Sequence, residues 1–599
     1  MRARWLGLAA TVAALAILAA GCGGGGGGEG TETPPPETTA DTGGQETAPA
    51  TTAEGGEGGT IVPGGILRVG TINDIDSLNP FNYIESQAYQ AFVMLLPQLV
   101  QYDYTEDKGY FLVGDWATSW ETSPDGLDWT FHLAPGTSWS DGTPMTADDA
   151  AWTINTTVKY ADGPTAIMAP SVNHVESAEA PDDQTLVIHY GRPVGNALEQ
   201  LEQFFVVPRH VYEPLEQQDP KELKRFKPEQ NLPMVTGGAF TLEQYESKGT
   251  VAFVPDPNYW GEPANAEAVA LIYYTNSDSM IADLQAGELD WVDQVPFNAV
   301  DVLKADENIT VNQVPGAETT NITWNSNPHK TTNVELLDPQ VKKALSMCVD
   351  REKIIDVVFN GYATTVESLP GHISNLENPD LGPLIHDCAE GNRMLDELGY
   401  ARGADGTRVV PATTGENAQP EHPMEYEILT PTGVDFNIDR SFQIVQEGFA
   451  EAGVKVTQRV GGDSTATYAV QTGEDCDPAA STGYQGWDIA MWDWVGYVDP
   501  DFMLSVVTKE QWCSWSDTGW DNPDYDAMYE EQGATIDPDG RRQIVYEMQQ
   551  VIYDNVLYTQ LTNHVALDAH SNAWGGITPE LTNLAAYAKF YWTRPGMLG

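Results

Sequence analysis

Basic residues are scarce in this chain: 29 Lys and Arg stand against 88 Asp and Glu over 599 residues, a net charge of −59. That balance argues against nucleic acid or an anionic membrane surface as a partner, because both repel a polyanion. Beyond the N-terminus no apolar run approaches 18 residues, so nothing there reads as a membrane-spanning helix. Cysteine is rare, five in all, and none has CxxC spacing. The ten histidines are scattered with no pair at metal-binding spacing, and HExxH, GxSxG, Walker A and GxGxxG patterns are missing. Asp537-Pro-Asp-Gly540 begins like a calcium loop but lacks the later ligands, so it reads as a turn before a helix. No metal, no cofactor and no catalytic chemistry are expected.

What is present begins with an export signal. Arg2 and Arg4 precede an apolar run, Leu6 to Ala20, too short to cross a bilayer, and Ala19-Ala20-Gly21-Cys22 follows. Small residues before a cysteine resemble the lipobox of bacterial lipoproteins, which implies lipidation at Cys22 and removal of residues 1–21; two or more acyl chains anchor a protein durably. From Gly23 to Thr60 there are seven acids, no Lys or Arg and almost no apolar side chain, so residues 22–62 are expected to be a disordered tether. As a flexible coil it would reach roughly 35 Å. About 540 residues remain, too many for one core.

Cys348, Cys388, Cys476 and Cys513 form an even set in an exported chain and are expected to be disulfides. Three pairings are possible; the sequence-local one, Cys348 with Cys388 and Cys476 with Cys513, is preferred.

Along the chain, 66–70 reads as a strand, 87–100 as a helix and 129–133 as a strand. Thr146 to Asp149 is a capping-box start for a helix over 150–159. The segment 487–494, WDIAMWDW, has period-2 character with aromatics on alternate positions, bounded by Gly486, Gly496 and Pro500. It reads as a strand running into an acidic loop, at the sheet edge where ligands of α/β domains sit.

Residues 133–152, LAPGTSWSDGTPMTADDAAW, resemble the signature of the extracellular solute-binding proteins of peptide-type ABC importers, the oligopeptide, dipeptide and nickel-binding family 5. In register follow GGAF at 237–240, DPNYWG at 256–261, IADLQAGELDWVD at 281–293, VKKALSMCVDREKIIDVVFNG at 341–361, MLDELGY at 394–400 and Asp499-Pro500-Asp501. The resemblance implies an α/β, two-lobed periplasmic-binding-protein-like fold (type II, cluster C) with an extra domain inserted in lobe I. Carried onto this chain, lobe I comprises 63–105, 236–328 and 561–599, the inserted domain 106–235, and lobe II 329–560. It also implies a ligand enclosed between the lobes, its backbone paired with 492–496, and delivery to ABC permease subunits by a monomer whose membrane contact is its lipid.

Implied site residues are Trp492, Asp493, Trp494, Gly496, Tyr497 and Asp499 from lobe II, Asn82 and Tyr83 from lobe I, and Trp324 and Asn325 near the crossing. Each aromatic could instead point into a lobe core. The chain also departs from the family. Gly496 stands where peptide binders carry an Asp for the ligand's α-amino group, and Thr432 where dipeptide binders carry an Arg for its carboxylate. Losing both anchors disfavours a free dipeptide, leaving a longer or cationic peptide; Asp493 or Asp499 are the acids that could replace the amine anchor. Oligosaccharides and metal chelates, bound by relatives of the same fold, are the alternative ligands, and a lipoprotein signalling to a receptor is the alternative role.

Overall fold

The computed structural model describes residues 61–62, 64–83, 86–105, 109–261, 263–413, 419–432, 436–462, 464–473, 475–575 and 594–595. The expected signal, Cys22 and nearly all of the tether lie outside them, as does most of the C-terminal segment assigned to lobe I.

One eleven-stranded sheet runs through both lobes. Its order is Lys455–Gly462, Glu425–Pro431, Ile489–Val495, Ile309–Trp324, Tyr558–Ser571, Trp291–Val292, Ile66–Thr71, Ala268–Tyr273, Thr250–Pro255 and Phe240–Gln244, with Ala363–Thr364 paired to the side of Tyr558–Ser571. In lobe II, Glu425–Pro431 and Lys455–Gly462 are parallel, and the amphipathic helix Phe436–Glu451 makes the crossover between them. Gly453, with φ 81°, takes the left-handed turn that ends this crossover. In lobe I, Ile66–Thr71 pairs in parallel with Ala268–Tyr273 and Trp291–Val292, joined by the helix Ser277–Gln285, whose Asn276 side chain accepts from the Ser279 N–H.

Among the described residues, two strands are long enough to belong to both lobes: Ile309–Trp324, 16 residues, and Tyr558–Ser571, 14 residues. They are antiparallel, and their register slips between Pro315 and Thr319 and again between Thr320 and Asn321. Such bulges bend and twist a strand, so the sheet turns from one lobe into the other here. Gly316 sits in the first slip, where a Cβ would stand 2.8 Å from the His564 carbonyl oxygen. Only a residue without a side chain lets the two backbones come that close.

A separate four-stranded antiparallel sheet, Ala117–Thr122, Asp128–Leu133, Thr185–Tyr190 and Val175–Asp182, packs on the helix Ala147–Lys159. That helix starts at the capping box read from the sequence, with the Thr146 N–H donating to Asp149 Oδ2 at 3.0 Å. Phe131 and Ile188 of this sheet share one continuous core with Leu67, Val69 and Phe92 of lobe I, so lobe I and the insert are joined by packing as well as by chain. The helix expected over 87–100 is shorter, Ser86–Leu95, because Pro97 cannot continue it and Val100 already begins the next strand.

The strand Ile489–Val495 is where expected, but both of its faces are buried. Ile489 and Met491 enter one core with Ile322, Ile428 and Phe449; Trp494 enters another with Met503, Val545 and Tyr558. Both disulfides have the preferred pairing, Cys348–Cys388 and Cys476–Cys513.

Candidate functional site

The strand Ile489–Val495 pairs along its length with Ile309–Trp324, Thr319 facing Trp494 and Asn321 facing Trp492. On its other edge the ladder with Glu425–Pro431 covers only Ile489 and Ala490. From Met491 to Val495 that edge has no partner strand among the described residues, and Val495 at its end is 52% exposed.

Immediately beyond, Gly496 donates its N–H to the Ala317 carbonyl at 2.7 Å, and a Cβ there would lie 2.5 Å from the Pro370 carbonyl oxygen. The position is thus filled by backbone from 370–371, and a carboxylate cannot stand there unless that loop moves. The loop itself is firmly held. His372 donates its N–H to Asn563 Oδ1 at 2.8 Å, and its ring lies 2.9 Å from Glu377 and 2.9 Å from the Thr365 carbonyl. The bond to Glu377 raises the imidazole's pKa above its ordinary value against the opposing effect of burial.

Next to this loop the lobes meet. Ile373 and Val498 of lobe II bury against Tyr102, with Tyr110, Leu112 and Ala317 at the edge of the cluster. Tyr102, Tyr110 and Leu112 come from the hairpin of Val100–Thr105 and Gly109–Gly114. Tyr83 comes from the preceding loop, which Asn79 fixes by donating to the carbonyls of Leu223 (2.7 Å) and Phe226 (3.0 Å). Tyr83 packs edge-on against Phe92 at 5.0 Å. Burial pushes its phenol up to about 12, with Tyr497 of lobe II and Asp76 adding to the shift. Tyr497 in turn packs edge-on to Phe502 at 5.5 Å, and Phe502 to Trp515 at 5.5 Å. The Trp515 indole is 53% exposed. An aromatic run therefore leads from lobe I to the surface of lobe II.

Farther from the hinge, the two sides also touch at Gly195, whose N–H donates to the Gly533 carbonyl at 2.7 Å, and through an Arg192–Glu530 ion pair. At the same seam Glu199 faces Asp499, Asp501 and Arg541. The segment 192–199 and lobe II are thus in direct contact along this seam.

The structure brings Tyr83, Gly496 and Tyr497 to this meeting point, with Asn82 exposed beside Tyr83. Trp492 and Asp493 are half-buried on the strand leading to it. Four other expected residues carry internal bonds instead. Trp324 is fully buried; its indole N–H donates to Thr559 Oγ1 at 2.9 Å and its ring stacks on Phe449. The Asn325 amide donates to the carbonyls of Tyr484 and Trp487 at 2.8 and 2.9 Å. Trp494 is 8% exposed and donates to Asp517 Oδ2 at 3.1 Å; burial raises that carboxyl to about 6. Asp499 accepts both Arg541 Nη atoms, at 2.5 and 2.8 Å, which occupies the acid as a candidate amine anchor. Thr432 is exposed and bonds through its N–H to the Gly462 carbonyl at 2.6 Å.

Sequence reasoning missed Tyr102, Tyr110, Ile373 and Trp515. The first three carry no local signal, because the topology alone brings a hairpin shared by lobe I and its insert against a lobe II loop. Trp515 could have been found from its place two residues after Cys513, in a loop tied by a disulfide.

Two α/β lobes that share one sheet through a bent pair of strands, with aromatic loops meeting between them, make this a two-lobed periplasmic-binding-protein-like fold. The chain belongs to the bacterial extracellular solute-binding proteins, family 5, whose model for the middle region matches residues 112–512. Among curated relatives it is 24% identical over 303 residues to a probable D,D-dipeptide-binding periplasmic protein of Escherichia coli, covering 50% of this chain and 56% of that protein. It is 26% identical over 374 residues to a putative ABC transporter peptide-binding protein of Brucella ovis, covering 62% and 65%. The matched stretch thus spans less than two thirds of the length of either relative. Among solved structures, the periplasmic binding protein DppA of Helicobacter pylori in complex with the peptide STSA shares the fold with a TM-score of 0.66 at 20% identity, covering 89% of this chain and 99% of that one. These relatives are named as binding proteins, not enzymes.

Proposed function

We propose that this chain is the extracytoplasmic binding lipoprotein of an ABC importer, enclosing peptides between its lobes and presenting them to the permease without altering them. The observation that carries the reading is the strand edge at Met491–Val495, which no partner strand covers among the described residues. An extended peptide can add there as a further strand, gaining main-chain hydrogen bonds that do not depend on its side chains. Tyr83 and Tyr497, one from each lobe, are the aromatic candidates for contact with whatever lies on that edge.

The length preference follows from the missing acid. Gly496 is packed against the Pro370 carbonyl and Asp499 is held by Arg541, so neither offers a fixed carboxylate to a free α-ammonium group. A neutral dipeptide would leave both charged ends poorly paired in a closed site, whereas a longer peptide spreads its binding over more backbone. In this reading the moving bodies are lobe I (63–105, 236–328 and 561–599) with its insert (106–235), and lobe II (329–560). Cys22 carries the lipid and 22–62 the tether.

Mass spectrometry of ligands released from natively purified protein tests the reading; peptides of four or more residues are expected, and oligosaccharides or a metal chelate alone would replace the ligand class. Separately, Cys22→Ser is expected to release the protein from the membrane fraction, and unchanged fractionation would refute the anchor.

A further inference from the structure

Lobe II contains a second concavity that shares no lining residue with the cleft. A cavity of about 250 Å³ lies between the helices Pro339–Ser346 and Arg351–Val358, the end of the helix Pro538–Asp554 and the start of the strand Tyr558–Ser571. Its outer wall is the connection through Glu367 and Leu384. That wall is fixed at several points: Arg351 Nη1 donates to the Leu384 carbonyl at 2.7 Å, the Tyr553 hydroxyl to the Gly382 carbonyl at 2.8 Å, and Cys388 is bonded to Cys348. A cavity with tethered walls keeps its shape before anything enters it.

The polar groups that line it are unusual. Gln560 is 3% exposed, yet neither its amide nitrogen nor its amide oxygen has a hydrogen-bond partner among the described residues. Arg351 is 5% exposed and its Nε is likewise without a partner, while its Nη1 lies 3.6 Å from Glu367. Buried amides and guanidinium nitrogens are almost always bonded, because leaving them bare forfeits their hydration. Lys343 and Asp554 stand exposed at the mouth. The lining therefore offers two cations and two carboxylates, with one neutral amide, out of water's reach, able both to donate and to accept once a ligand reaches it.

Two charges of each sign around a small volume match a zwitterion better than a simple anion or cation. At about 30 Å³ per water, the space corresponds to roughly eight waters, which is room for one free amino acid. We propose that this cavity binds a free amino acid with a polar side chain, as a site separate from the interlobe cleft. Its carboxylate lies against Arg351 and Lys343, its ammonium group against Glu367 and Asp554, and its side-chain polar group against the Gln560 amide.

Calorimetric titration of the full-length protein with L-glutamine tests this, with L-glutaminamide, which lacks the carboxylate, as the control. Saturable one-to-one binding of L-glutamine is expected, weakened about tenfold or more by Gln560→Leu and about threefold by Lys343→Ala, and undetectable for the amide. Lys343 is on the surface, so its variant decides the matter should Gln560→Leu fail to fold. Absence of saturable binding with L-glutamine, L-serine and L-asparagine would overturn the proposal. So would binding that folded variants leave unchanged, or that tetra-alanine displaces, since the amino acid would then occupy the cleft.

Discussion

At the scale of single residues, the reading turned on which side of a strand each side chain takes. The alternation in 487–494 was legible, and so was its strand; what alternation cannot give is whether one face or both are covered. Here both are, because the same strand is central in a sheet packed on two sides, so Trp494 became a core residue hydrogen-bonded to Asp517. Asp499 is the clearest case of a charge whose partner is remote in sequence: Arg541 lies on the helix Pro538–Asp554 and nothing local announces it. That pair is almost fully buried, so removing one member strands the other. Asp499→Ala is expected to cost about 3–5 kcal/mol in denaturant unfolding, and Asp499→Ala with Arg541→Met appreciably less. Equal losses for the single and double variants would mean that the acid acts through something other than this ion pair.

At the scale of elements, local signals did well where a local cause exists. The capping box at Thr146 and the sequence-local disulfides formed as read. The helix after Ser86 was overextended because its apolar pattern runs on past Pro97 into a strand. The resemblance placed the crossing near Trp324, but the bend itself was not legible. A bulge is a property of two strands in register, and Gly316 looks ordinary until His564 is known to lie beside it. The Cys476–Cys513 bridge closes a 37-residue separation around the strand Ile489–Val495 and ties the loop that presents Trp515. By loop-closure entropy, replacing both cysteines with serine is expected to lower stability by about 3–4 kcal/mol, seen as a lower midpoint in thermal unfolding. Peptide affinity is expected to fall as well, since Trp515 and Phe502 lose their mounting. An unchanged midpoint would show that the loop is held by its buried residues Ser516 to Thr518 alone.

At the scale of the whole molecule, the excess of acids meets itself where the lobes close. Burial raises Glu199 to about 7, with Asp499 adding to the shift, and burial likewise raises Glu202 to about 7. Arg541 opposes the shift at Glu199. Both carboxyls start from an ordinary value of 4.5, so between about 4.5 and 7 the closed, folded state binds more protons than the unfolded chain. Stability therefore falls as pH rises through that window and recovers on acidification. The thermal midpoint is expected to rise from pH 7.5 to pH 5.5, and Glu199→Gln to flatten that rise. A parallel rise in the variant would assign it to relief of the general negative charge instead.

In this reading the cleft holds an extended peptide by its backbone, with no acid at Gly496 and with Asp499 held by Arg541. Calorimetry of the natively folded, ligand-stripped protein against neutral tetrapeptides to hexapeptides, neutral dipeptides and oligosaccharides tests it most directly, with Tyr497→Ala in parallel. The longer peptides are expected to bind at least tenfold more tightly than any neutral dipeptide, and Tyr497→Ala to weaken them by about 2 kcal/mol. Tight binding of a neutral dipeptide, or saturable binding of oligosaccharides alone, would contradict it.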